Sequence, residues 1–179
     1  MEPPTQAFKT ETAFKSFKPP IAYEEAKKKA VEIVNQLSLE EKISLIGGHN
    51  VFFTKGFEKF KVPAMYMSDA TQGVNIRAEL DDQLDKSVAF PSPIALASTW
   101  NRELAGQYAK SIGEECRAGE IAVLLGPGVN IYRISQNGRN FEYFGEDPYL
   151  AARMIEHYVV GMQSTGLSLI HISEPTRPY

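Results

Sequence analysis

The densest chemistry in this chain lies in residues 138–150, GRNFEYFGEDPYL, where Arg139 stands beside three acids, Glu142, Glu146 and Asp147, and four aromatic rings. Two carboxylates held close together are the equipment of a glycoside hydrolase or an acid protease. The local sequence argues against such a pair here. Asp147-Pro148 has the composition of a helix start, with Asp accepting N–H bonds at the N-cap and Pro at a position where its missing N–H costs nothing. Glu146 then sits near the positive end of the same helix. Glu142 follows Arg139 by three residues and reads either as a partner that fixes the guanidinium or as a solvent-facing acid. Arg139 is a rigid fork of donors that cannot lose its charge, which suits the holding of hydroxyls or a carboxylate; a surface salt bridge is the competing reading.

A second candidate is Asp69, in VPAMYMSDATQGV. A short apolar run, 62–67, reads as a buried strand that delivers this acid into a turn-prone loop. There it can orient sugar hydroxyls, bind a metal, act as base or nucleophile, or cap the following turn. GPGVN at 126–130 is glycine-rich after a strand but lacks the spacing of a dinucleotide fingerprint. The single cysteine, Cys116, permits no intrachain disulfide and reads as a small buried apolar residue. His49, His157 and His171 are widely spaced, so no zinc-type cluster is expected and no metal or other cofactor is assigned.

These residues need elements to position them. The chain has 179 residues, with 43% apolar and 23% charged, a globular composition. A net charge of −3 argues against nucleic acid as the main partner. No apolar run approaches the roughly 20 residues of a membrane span. The first twenty residues carry no apolar signal core, and the compartment stays open. Residues 1–22 are read as a polar arm. A helix is expected over 23–37, with Ala26, Ala30, Ile33, Val34 and Leu37 as its apolar stripe. Ser38 and Glu41 form a capping box for a short helix through residue 45, stopped by Gly47-Gly48.

Residues 78–86 are acidic and irregular, and a short strand is expected at 94–97. Asn101 caps a helix to about 117 that buries Leu104, Tyr108, Ile112 and Cys116. A strand follows at 121–125, ended by Gly126-Pro127-Gly128, and then a helix over 148–164. The alternation of strand, loop and helix implies parallel βα units. In such folds the loops at the C-terminal ends of the strands carry the chemistry. Periodicity alone does not separate a barrel from an open doubly wound sheet.

GPGVNIYRISQNGRNFEYFGEDPYLAARM resembles the N-terminal barrel domain of glycoside hydrolase family 3, the β-glucosidase type, with its G-P-x-V-N stretch and G-R-N-F-E-Y-F-x-E-D-P-Y-L run. LSLEEKISLIGG, VPAMYMSDATQGV and the stretch joining that segment to GPGVN fit as well, so the resemblance spans about 37–166. It implies an α/β chain, the N-terminal part of an incomplete (β/α)8 TIM-type barrel. The domain reading is a polar arm at 1–22, a partial barrel at 23–166 and a non-family tail at 167–179. That tail, LSLIHISEPTRPY, resembles translated sequencing-adaptor sequence, and a truncated reading is expected; His171 is assigned no role.

By the same resemblance Asp69 and Arg139 bind the sugar whose bond is cleaved. Three departures stand out. Ser135 replaces the family's Pro, Asp69 is followed by Ala-Thr in place of Gly-Pro, and Asn75 occupies the place of an Arg that appears two residues later as Arg77. The family's Lys-His pair, nucleophilic Asp and acid/base Glu lie further along, so no catalytic residue is assigned to this chain. The expected activity of the whole enzyme is retaining hydrolysis of terminal β-linked sugars, with a small carbohydrate as partner and neither nucleic acid nor membrane. The rest of the barrel and a second α/β domain would complete it. Alone, an unclosed barrel exposes a strand edge and is expected to be marginal and inactive. A non-catalytic sugar-binding or interaction protein built on a partial barrel is the alternative reading.

Overall fold

The structure, a computed structural model, describes residues 22–49, 52–75 and 86–172, the last five as backbone only. Two short helices open the described chain. Helix α1, Tyr23–Val34, ends three residues before the expected end, and α2, Leu39–Ile46, carries the expected capping box in full. The Ser38 hydroxyl accepts from the Glu41 N–H at 3.1 Å, and the Glu41 carboxylate accepts from the Ser38 N–H at 2.8 Å. The apolar stripe of α1 is only partly covered, with Ala26 and Ile33 half-buried. The helix buries none of its residues, Val34 is exposed, and Leu37, beyond its end, is the buried residue of that series. Strands β1, Gly48–His49, and β2, Phe53–Thr54, pair antiparallel.

The main sheet has three parallel strands in the order β3, Met67–Asp69, β4, Val123–Gly128, and β5, Ser168–Ile172. The strand expected at 62–67 is shifted to Met67–Asp69. Pro63 has no N–H to give a ladder, and the residues before Met67 are engaged elsewhere. Tyr66 bridges Phe53, Val62 bridges Phe57, and the Met67 N–H donates to the Phe52 carbonyl at 2.8 Å. The strand expected at 121–125 begins later and runs through Gly126-Pro127-Gly128 rather than stopping there. Pro127 cannot donate, and the β4–β5 register shifts between Leu125 and Gly128. β5 lies in the segment read as a non-family tail.

Residues 94–97 are helical, not extended: α3 spans Pro93–Ala97. Pro93 at the first helical position is preset for a helix start, which outweighs the apolar run; the Ser92 side chain makes no cap hydrogen bond. Helix α4, Arg102–Ala118, is capped as expected, with Asn101 Oδ1 accepting from the Leu104 N–H at 2.9 Å. It buries Ala105, Tyr108, Ala109, Ile112, Gly113 and Cys116. Leu104, expected inside, is 39% exposed on the first turn. Helix α5, Pro148–Gln163, buries Ala151, Met154, Tyr158 and Met162.

α4 and α5 pack against each other and against Leu124 of β4 in one core. Each follows a strand and leads to the next, and both lie on one face of the sheet, the local winding of a (β/α) barrel. They approach closely where Gly161 of α5 meets Gly106 of α4; a Cβ on Gly161 would lie 2.2 Å from the Gly106 carbonyl oxygen.

Cys116 is fully buried in this core. Burial, and then the negative charge of Glu115, push its thiol up to about 12. Thiolate is the reactive form. A thiol reagent at pH 8 is therefore expected to leave Cys116 unmodified in the folded protein and to label it fully in denaturant. Rapid native labelling would contradict the packing of α4.

Candidate functional site

Asp69 ends β3. Side chains alternate across a strand, and Ser68, paired with Leu124, is fully buried on the face that carries the helices. Asp69, paired with Leu125, therefore faces the other side, which is the interior in a barrel. It is half-buried at the strand's C-terminal end.

The described part of the loop that follows Asp69, residues 70–75, is held by several hydrogen bonds. The Asn75 N–H donates to the Asp69 carbonyl at 3.0 Å, and the Ser68 hydroxyl lies 3.2 Å from the Asn75 carbonyl. The Tyr108 hydroxyl reaches over from α4 to the carbonyls of Thr71, at 3.1 Å, and Pro91, at 2.7 Å. Burial raises the Tyr108 phenol far above its ordinary range, so it remains a donor. The Phe90 N–H donates to Gln72, and the Ser87 hydroxyl to Val74. Gly73, at φ 111°, lets this strap close, since a Cβ there would lie 2.1 Å from the Val88 carbonyl oxygen.

Arg139 stands in the loop after β4, just before a 3-10 turn, Asn140–Glu142. Its Nε and Nη2 each donate at 2.8 Å to separate oxygens of Glu142. Of the two readings open for Glu142, the structure shows the guanidinium partner. The turn is anchored by Tyr143 and Phe144, both almost wholly buried, and by Asn140 Nδ2, which donates to the carbonyls of Ile134 at 2.9 Å and Ser135 at 3.3 Å. Gly128, at the end of β4, lets the turn sit directly on the sheet; a Cβ there would lie 2.6 Å from the Glu142 carbonyl oxygen.

Asp147 caps α5 as expected, its Oδ1 accepting from the N–H groups of Tyr149 at 2.8 Å and Leu150 at 3.2 Å. Glu146 is exposed just before it. β3 and β4 are adjacent and parallel, so the loops bearing Asp69 and Arg139 leave the same end of the sheet. Arg77 lies outside the described residues. A groove of about 510 Å³ along α3 and α4 is lined by Phe90, Leu96, Leu104 and Tyr108 among others, and contains none of these charged residues. Among the described residues no group of three or more His, Cys, Asp or Glu could hold a metal ion. No helix among them is long and apolar enough to cross a membrane.

The brace of Tyr108 on the Thr71 loop was not foreseen from the sequence. A tyrosine in the buried stripe of a helix signals a hydroxyl that needs a partner, but nothing local says which loop supplies it.

The model of the family described as "Glycosyl hydrolase family 3 N terminal domain" matches residues 33–172, and so takes in β5. Beta-glucosidase BoGH3A of Bacteroides ovatus is 42% identical over 143 residues, 76% of this chain and 19% of that protein. An exo-alpha-(1->6)-L-arabinopyranosidase of Bifidobacterium longum is 38% identical over 149 residues, 78% of this chain and 20% of that protein. The chain thus spans about a fifth of the length of these curated relatives. Among solved structures, beta-glucosidase 3B from Thermotoga neapolitana in complex with glucose aligns with a TM-score of 0.73 at 38% identity, covering 80% of this chain and 22% of that one. The fold is α/β, the N-terminal part of a TIM-type barrel. With the family match covering most of its length, this chain belongs to glycosyl hydrolase family 3, as N-terminal-domain sequence.

Proposed function

We propose that this chain is the front of a retaining β-glycosidase barrel, and that Asp69 and Arg139 hold the sugar whose bond is cleaved. The observation that carries this reading is their placement. Asp69 ends β3, and Arg139 stands in the loop that leaves the same end of the adjacent parallel strand β4, the end where barrels of this type do their chemistry. Asp69 accepts from sugar hydroxyls, and Arg139 donates to them. As the ring takes on oxocarbenium character, hydrogen bonds to its hydroxyls tighten and stabilise the transition state more than the bound substrate.

The two carboxyl groups that perform the cleavage are supplied by later parts of the enzyme. In a retaining glycosidase they stand about 5–5.5 Å apart, one forming a glycosyl-enzyme and the other protonating the leaving oxygen. Residues 1–21 of the segment read as a polar arm lie outside the described residues. Of the tail at 167–179 expected to be non-family, the family model takes in 167–172; a continuous reading frame completes the barrel and adds a second domain.

Resequencing the source DNA tests this. The frame is expected to run past residue 172 into a Lys-His pair, a later Asp nucleophile and a second domain carrying the acid/base Glu. A genuine stop after Tyr179 would contradict it and favour a sugar-binding role for the chain alone.

A further inference from the structure

We infer that Glu142 is the positioning residue for Arg139, an inference that rests on the sugar-holding role proposed above. The two side chains differ in exposure: Arg139 is 44% exposed and Glu142 13%. The carboxylate is the fixed member of the pair and the guanidinium the reaching one.

The contact is bidentate, through Nε and Nη2 at 2.8 Å each. Two parallel bonds set the plane of the guanidinium, where a single bond would let it swivel. They engage one edge of a group that has five donors in a fixed fork. Rotamer freedom that a long side chain would otherwise lose on binding is lost on folding instead.

Glu142 can serve as the fixed member because its backbone is held three ways. Its N–H donates to the Arg139 carbonyl at 3.0 Å, closing the 3-10 turn. Its own carbonyl rests against Gly128 at the end of β4. Its neighbours Tyr143 and Phe144 are each 1% exposed. The chain Gly128, Glu142, Arg139 thus transmits the position of the strand end to the guanidinium. Sequence spacing alone left the acid open to a solvent-facing reading.

A double-mutant cycle in the full-length enzyme tests this, with 4-nitrophenyl β-D-glucopyranoside as the probe and kcat/KM as the readout. Glu142→Gln keeps the shape and removes the charge, and kcat/KM is expected to fall about tenfold, as for one lost charged hydrogen bond. In an Arg139→Lys background the same change is expected to alter kcat/KM by less than about twofold, because an ammonium cannot take the two-point contact. A merely structural role predicts the same loss in both backgrounds, which would overturn the inference. So would a silent Glu142→Gln where Arg139→Lys is impaired, and that outcome leaves the sugar-holding role standing. A silent Arg139→Lys overturns both. Should Glu142→Gln prove insoluble, Glu142→Asp replaces it in the cycle, with a loss of similar size expected from its shorter reach and the same coupling to Arg139.

Discussion

Arg139→Lys is expected to lower kcat/KM of the full-length enzyme on a β-glucoside by about 10–100-fold, the equivalent of one or two charged hydrogen bonds. Lysine keeps the positive charge but presents it as a compact ammonium. It can neither receive the two parallel contacts of Glu142 nor present a planar fork to a sugar. The fold is expected to survive, since the Arg139 side chain is 44% exposed and lies on a loop whose anchors are Tyr143 and Phe144. The apparent Tm should move by no more than roughly 2 °C. If hydrogen bonds from Arg139 tighten in the transition state, kcat falls by more than KM rises. Steady-state kinetics on purified wild type and variant check this, and unchanged kinetics would remove Arg139 from the subsite.

Gly161→Ala is expected to be the most destabilising single methyl addition in the helix layer. The new Cβ would meet the Gly106 carbonyl oxygen at 2.2 Å and the Gly106 carbonyl carbon at 2.8 Å. These are backbone atoms inside a helix and cannot turn aside as a side chain can. Helices α4 and α5 would have to separate, loosening the packing of Tyr108 against Tyr158 and of Met162 against Gly113. Overpacking of a core costs about 1–3 kcal/mol, and an immovable contact belongs at the top of that range. The gain of about 1 kcal/mol in helix propensity from Gly to Ala does not offset it.

A fall of about 4–8 °C in apparent Tm is expected for a domain of barrel size. Gly106→Ala is the control. Its nearest contact would be the His157 carbonyl oxygen at 3.4 Å, so its Tm should stay within roughly 3 °C of wild type. Equal shifts in the two variants would show that the helices do not cross at this pair.

Much of the helix layer was legible because its signals are local. Ser38 with Glu41, Asn101 and Asp147-Pro148 each identify a helix start by the chemistry of N–H groups that lack partners, and the structure has all three caps. The buried stripe of α4 followed from 3.6-residue spacing, with Leu104 misplaced because a first-turn residue lies at the rim of the layer. Strand limits were less legible. The run 62–67 is apolar, yet the register of the preceding hairpin and Pro63 take those residues out of the parallel sheet, leaving Met67–Asp69. Residues 94–97 look extended by composition and are helical because Pro93 sits at the first helical position.

The candidate site was legible as a set of residue types and not in its bracing. Arg139 and Glu142 three apart suggested a pair, but only the 3-10 turn seated on Gly128 makes the contact bidentate. The hold of Tyr108 on the loop after Asp69 joins residues 37 apart in sequence, which no local pattern encodes.

The proposed sugar-holding role places Asp69, at the end of β3, and Arg139, in the loop after β4, on the same sugar. A crystal structure of the full-length enzyme soaked with glucose tests it most directly. Sugar hydroxyls are expected about 2.5–2.9 Å from an Asp69 carboxylate oxygen and from an Arg139 guanidinium nitrogen, the range of charge-assisted hydrogen bonds. Glucose seated in the catalytic pocket beyond hydrogen-bonding reach of both residues would contradict it.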